Sequence, residues 1–154
     1  MIQIAASDGM LAARAQIEMI VAASIDAEFE AYRALPAIDE ATLVRWYASD
    51  GPAYRDLIHT LTRVARRGWI LKNPHDPSTK RLLAINVKEI RDGSAVVRTT
   101  EYWYLRWWST VEWKYRYPFR ETDRQTYILT RRGEDWLVLE KIRPAPRSST
   151  PHRK

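Results

Sequence analysis

Between Asp8 and Ala34 the apolar positions Ile17, Ile20, Val21, Ile25, Phe29 and Tyr32 return every three or four residues, and Glu18, Asp26, Glu28 and Glu30 fall between them. That period predicts one long amphipathic helix. Leu35-Pro36 ends it, because proline disfavours a helical conformation for the residue before it. Asp39 is placed to accept the free amide hydrogens of a short second helix running to about Ser49, with Ile38 and Leu43 as a hydrophobic staple. A third helix starts at Gly51-Pro52, buries Tyr54, Leu57, Ile58, Leu61, Val64 and Ala65 on one stripe, and closes on Arg66, Arg67 and a left-handed Gly68.

The stretch LKNPHDPSTK reads as a proline-rich loop, and beyond it the period changes to two. Arg81 to Ile90 alternates with Leu83, Ile85 and Val87 on one face. Asp92-Gly93 signals a turn, and Ala95 to Trp108 is long enough for one extended strand. Residues 112 to 131 form its return, broken at Pro118, which has no amide hydrogen to give to a ladder. Gly133 turns the chain into a last strand, Trp136 to Ile142. The expected fold is α+β: three N-terminal helices packed on a curved antiparallel sheet of about four strands, as one domain over residues 1–142. Residues 143–154, RPAPRSSTPHRK, are set apart as a basic, proline-rich tail or linker.

The charge pattern narrows the partners more than its total does. The chain carries +6 formally, but Arg143, Arg147, Arg153 and Lys154 in the tail supply +4 of it. Residues 1–50 hold three basic and eight acidic groups, so an acidic helical part faces a basic sheet part, an arrangement that serves attraction within or between subunits as readily as a polyanion. The absence of cysteine excludes disulfides, thiolate zinc sites and thiol nucleophiles. The longest apolar run, Ile17 to Ile25, is interrupted by Glu18 and bounded by Asp26, and the start MIQIAASDGM has neither the basic flank nor the apolar region of a secretory signal. The reading is a cytoplasmic protein without membrane insertion.

The helix of 8–34, the strand VVRTTEYWYLRWW, the strand RQTYILTR and the closing DWLVLEKI together resemble the cystatin-like α+β cone. That cone is shared by nuclear transport factor two-like, ketosteroid isomerase-like and SnoaL-like proteins, and by VirB8-like and chloroplast-division ARC-type accessory domains. The resemblance is topological and spans nearly the whole chain. The three histidines fall on a helix, in a loop and in the tail, which leaves no His and Asp dyad to carry over from the enzyme branch. The resemblance therefore implies a noncatalytic member.

Three sets of residues are candidates for function. EYWYLRWW, followed by Trp113, Tyr115, Tyr117 and Phe119, puts rings on both sides of one long hairpin. A strand that is aromatic on both faces wants cover on both. Tyr104, Arg106, Trp107, Trp108, Trp113 and Tyr115 are thus the expected interface with a protein partner or in a homodimer, against the plainer reading of a bulky core with arginines over rings. Second, Glu101, Trp103, Gln125 and Tyr127 share the interior parity and would face a small, largely apolar ligand in the cone. Were the chain an isomerase, lyase or dehydratase, Glu101 and Asp123 would be its acid and base, with Tyr102, Gln125 and Tyr127 donating to an oxyanion. The competing reading pairs Glu101 with Arg98, Arg120 or Arg124 as a strut. Third, Arg55, Arg63, Arg66, Arg67, Lys72 and the tail would contact phosphates if the chain bound single-stranded nucleic acid, a reading set behind a solvated helix face for want of any recognised motif. No cofactor and no metal site is expected, since His59 has no second ligand at suitable spacing and Asn-Pro and Asp-Pro in NPHDP are turn chemistry.

Overall fold

The computed structural model describes residues 2–72 and 75–144, with side chains from residue 9 on. Three helices, α1 (Ile2–Ala34), α2 (Glu40–Leu43) and α3 (Pro52–Arg67), precede the strands β1 (Trp69–Leu71), β2 (Thr79–Arg91), β3 (Ser94–Leu105), β4 (Trp107–Ser109), β5 (Lys114–Tyr115), β6 (Phe119–Arg132) and β7 (Asp135–Ile142). The strands make two antiparallel sheets, a larger one in the order β2-β3-β6-β7 and a smaller one in the order β1-β4-β5. The α+β class and the helices-first order are as the sequence implied. The single sheet of about four strands is corrected to two sheets. The tail beyond Pro144 lies outside the described residues.

The long first helix begins at Ile2 instead of near Asp8, and its buried stripe is the one the period indicated, with Ile17, Val21, Ser24 and Ile25 withdrawn from solvent. Asp39 caps α2, accepting from the Thr42 amide at 3.2 Å and the Thr42 hydroxyl at 2.6 Å. The helix stops at Leu43, short of Ser49, because the chain turns there to carry Tyr47 inward. The Tyr47 hydroxyl donates to the Ser24 carbonyl at 3.0 Å, and main-chain bonds from Ala48 to Val138 and from Val138 to Trp46, each 2.8 Å, cover the outer edge of β7.

Gly68 ends α3 in a left-handed conformation, φ 74°, with its amide bonded back to Ala65 and Val64. Its lack of a side chain is needed twice. A Cβ there would fall 2.6 Å from Thr110 Oγ1, and the Thr110 amide and hydroxyl both donate to the Gly68 carbonyl, at 2.9 and 2.7 Å. The end of the helix is thereby fastened to the turn after β4. Trp69, Ile70 and Leu71 then run directly into β1 and pair with Ser109, Trp108 and Trp107.

Two strand assignments change. A register shift between Leu82 and Ala84 breaks the alternation of β2, so Leu82, Ile85 and Val87 point to the core while Leu83 faces out, half-exposed. A bulge adds one residue to one strand and reverses the parity beyond it. The expected strand from Ala95 to Trp108 is split at Arg106, and β4 leaves the large sheet to join β1. The Arg106 amide bonds the Ser78 hydroxyl at 2.8 Å instead of a neighbouring strand. The return does break at Pro118, between β5 and β6.

Candidate functional site: an aromatic cavity and a ring-rich hairpin

The inner face of the large sheet is set by β3 and β6, where Val97 lies opposite Tyr127, Thr99 opposite Gln125 and Glu101 opposite Asp123. Glu101 is 0 % exposed, and four uncharged donors converge on its carboxyl. Thr99 Oγ1 at 2.6 Å and the Tyr127 hydroxyl at 2.5 Å donate to Oε2; Trp103 Nε1 at 2.9 Å and Gln125 Nε2 at 3.1 Å donate to Oε1. A carboxylate offers about four acceptor positions, and here all are taken. No arginine is among the partners, so the expected pairing with Arg98, Arg120 or Arg124 is corrected. Arg98 and Arg124 sit on the opposite face of the sheet by strand parity, and Arg120 lies over the Tyr104 ring at 4.9 Å.

The Tyr127 hydroxyl is pushed well above its ordinary ionisation range, first by burial and then by the carboxyls of Glu101 and Glu28. Tyr32 is raised likewise, by burial and by Glu28, whose Oε2 accepts from its hydroxyl at 2.7 Å. Lys141 closes this chain of polar groups, with its ammonium 2.7 Å from Glu28 Oε1 and 5.3 Å from the Tyr127 ring centre.

A cavity of about 330 Å³ opens between α1, α3 and the inner sheet face. Tyr32, Trp103, Leu105, Trp107, Phe119 and Val64 give it an apolar wall; Glu28, Thr60, Arg63, Asp123, Gln125, Lys141 and Arg143 give it a polar rim. A second lobe of about 240 Å³ adjoins it through Glu28, Tyr32, Thr60, Gln125, Lys141 and Arg143, and reaches Tyr47, Asp56 and Leu57. The wall is built from ring contacts: Trp103 meets Phe29 at a tilt, 6.2 Å away, and Tyr32 edge-on at 6.1 Å, and Trp107 meets Tyr32 edge-on at 6.0 Å. Of the four residues expected around a ligand, Trp103 and Gln125 line this space, whereas Glu101 and Tyr127 lie behind it. Asp123 lines it and is paired with Arg143 at 2.9 Å. Glu121, two residues earlier on the same face, has its carboxyl raised above the usual range by burial and by its contact with Asp123. Sequence reasoning missed Glu28, Tyr32 and Lys141. Glu28, read among the polar positions between the apolar ones, stands at helical spacing i, i+4 from Tyr32 of the stripe, which was the available signal.

The hairpin is divided between interior and surface. Trp107 is 7 % exposed and Tyr104 8 %, so both belong to the folded subunit and offer nothing to a partner as they stand. Tyr104 donates to Asp76, and Arg81 covers the Tyr102 ring at 5.5 Å. The outer rings of β3 are thus roofed by arginines instead of by a second layer, which is why both faces of the strand are aromatic. Trp69 is held between the guanidinium groups of Arg67 and Arg116, each 5.1 Å from its ring. Trp108 is half-covered by Tyr115 at 4.8 Å and Trp113 at 5.9 Å, and Arg106 stacks on Tyr115 at 4.7 Å. What remains open is the turn, with Val111 at 73 % and Trp113 at 76 % exposure, and Tyr117, at 93 %, past the other end of β5. The α3 arginines do not gather into one phosphate site, since Arg63 borders the cavity, Arg67 covers Trp69 and Arg55 lies 3.8 Å from Asp56.

With this geometry in place, comparison with solved structures finds chains of similar fold, among them the following two. The intermembrane space region of the chloroplast protein ARC6 matches with a TM-score of 0.62 and 18% identity, over 84% of this chain and 95% of that one. The association domain of C. elegans CaMKII matches with a TM-score of 0.55 and 12% identity, over 87% and 96%. The likeness is one of fold. Both neighbours are nuclear transport factor two-like α+β domains, in keeping with the resemblance noted from the strands. No family model matches the sequence, and no curated protein does. Among the described residues no helix is long and apolar enough to cross a membrane, and no three His, Asp or Glu side chains cluster as metal ligands.

Proposed function

We infer that the chain is a noncatalytic association module, which docks on a protein partner or on a second copy of itself through its aromatic hairpin. The observation that carries this is the row of side chains along the hairpin, from exposed Val111 and Trp113 at its turn, through half-buried Trp108 and Tyr115 and Arg106, to exposed Tyr117 beyond β5. Tryptophan, tyrosine and arginine are the residues that anchor interfaces, and a folded subunit gains nothing by displaying them together. The CaMKII neighbour is itself an association domain, which supports the reading by analogy of fold. A small, largely apolar ligand in the cavity belongs to the same reading, supported by the wall of Tyr32, Trp103, Trp107 and Phe119 and by a volume suited to a modest molecule.

The enzyme reading loses its main support. An acid or base must reach the substrate, and the carboxyl of Glu101 is behind the cavity wall with each acceptor position occupied. The test of the association role is solution mass over a concentration series, with acrylamide quenching of tryptophan, for the wild-type chain and for Trp113→Ser/Tyr117→Ser. These side chains are exposed, so the fold should survive their loss. Self-association or partner capture that disappears in the double variant is the expected result. Association unchanged in the variant, or a wild-type chain that stays monomeric and captures nothing, overturns the reading.

A further inference from the structure

The face of the large sheet turned away from the helices carries a different chemistry. On it β3 presents Arg98, Thr100 and Tyr102, β6 presents Arg124 and Thr126, and β2 presents Asn86 and Lys88. An open groove of about 550 Å³ crosses these strands, with Arg98, Arg124 and Lys88 along it and Ala84, Ile142 and Pro144 at its apolar side. Arg98, Arg124 and Lys88 are exposed, and among the described residues none of the three is within ion-pair distance of an acid. Several cations elsewhere are paired, among them Lys80 with Asp26, Arg106 with Asp76, Arg132 with Asp50 and Lys141 with Glu28, while others such as Arg45, Arg66 and Lys114 are exposed without an acid among the described residues. What sets the groove apart is that three such cations line one open space.

We propose that this outer face binds an extended, acidic polypeptide segment of another protein. Three observations select that occupant. Arg98 lies opposite Thr126 and Arg124 opposite Thr100, so the two arginines are diagonal neighbours, about 7 to 8 Å apart at the backbone. Carboxylates at alternate positions of an extended chain recur at about 6.6 Å, which fits that spacing. A second copy laid face to face about a two-fold axis would bring Arg98 and Arg124 against the same arginines, a like-charge contact that such an interface disfavours. Single-stranded nucleic acid needs open rings on which to stack its bases, yet Tyr102 is covered by Arg81 and Tyr104 is buried beneath Arg120. The chain's own residues after Pro144 include Arg147, Arg153 and Lys154 and no acid, so they are the wrong sign to fill the groove.

Fluorescence anisotropy on the full chain, with a short labelled peptide of alternating glutamate and threonine and an oligothymidine of similar length as the second probe, tests this. The peptide should bind at low ionic strength and weaken as salt is added. Arg98→Glu/Arg124→Glu should lose at least about tenfold in affinity, Arg98→Lys/Arg124→Lys should keep most of it, and Trp113→Ser/Tyr117→Ser should be unaffected. That last comparison separates failure here from failure of the hairpin role. Circular dichroism reports whether the charge-reversed chain is folded; if it is not, Arg98→Gln alone serves, with a smaller loss expected. No binding at low salt, equal binding by the charge-reversed chain, tighter binding of oligothymidine, or a solution mass that falls to monomer on charge reversal each overturns the proposal.

Discussion

Replacing Glu101 tests the interior most directly, because two substitutions of similar size should behave very differently. In Glu101→Leu, four buried donors face a methyl-bearing side chain. Gln125 borders the cavity and recovers a water, which leaves Thr99, Trp103 and Tyr127. A buried donor left without a partner costs about 1 to 3 kcal/mol. The two hydroxyls can rotate toward other acceptors and fall at the low end, so the expected loss is about 3 to 5 kcal/mol. For a domain of this size that lowers the melting temperature by roughly 10 °C, at about 2 to 4 °C per kcal/mol. In Glu101→Gln the amide oxygen can stay with the Trp103 and Gln125 N–H groups, while the NH₂ turns to Thr99 and Tyr127, whose hydroxyls accept as well as donate. Every partner is kept, and the loss should be about 1 kcal/mol. Urea denaturation followed by circular dichroism measures both. A leucine variant within about 1 kcal/mol of wild type, or a glutamine variant as damaged as the leucine one, would refute the account of Glu101 as an acceptor that binds β3 to β6.

Two further outcomes follow from the same geometry. Gly68→Ala should cost about 2 kcal/mol, from about 1 to 2 kcal/mol for a left-handed non-glycine residue and from displacement of the Thr110 hydroxyl 2.6 Å from the new Cβ; a thermal melt unchanged from wild type would show that the helix end and the hairpin turn are not fastened there. The second concerns alkaline pH. Tyr32, Tyr47 and Tyr127 are each raised well above the ordinary value of 10.0, chiefly by burial, so above that pH the unfolded chain sheds these protons and the folded one keeps them. The unfolded state then binds fewer protons, and stability must fall as pH rises. Absorbance at the phenolate band should show these three titrating only together with loss of fold.

How much of this was legible beforehand divides along a physical line. Features set by neighbours in sequence were readable: the stripe of α1, the Asp39 cap, the left-handed Gly68, the Asp92-Gly93 turn, the break at Pro118, and the parity that put Val97, Thr99, Glu101 and Trp103 on one face. Each follows from backbone sterics or a side-chain period that a few residues determine. Features set by pairing across the chain were not. The bulge that turns Leu83 outward, the departure of β4 to join Trp69–Leu71, and the exchange of an arginine for Thr99, Trp103, Gln125 and Tyr127 around Glu101 depend on which strands meet and in what register. The same holds for the cavity, whose wall joins Tyr32 of α1 to Trp107 of β4. Local chemistry determined the elements and their buried faces; only packing between residues distant in sequence decided which rings became core, which stayed at the surface, and which carboxyl was sealed away from the space it was expected to line.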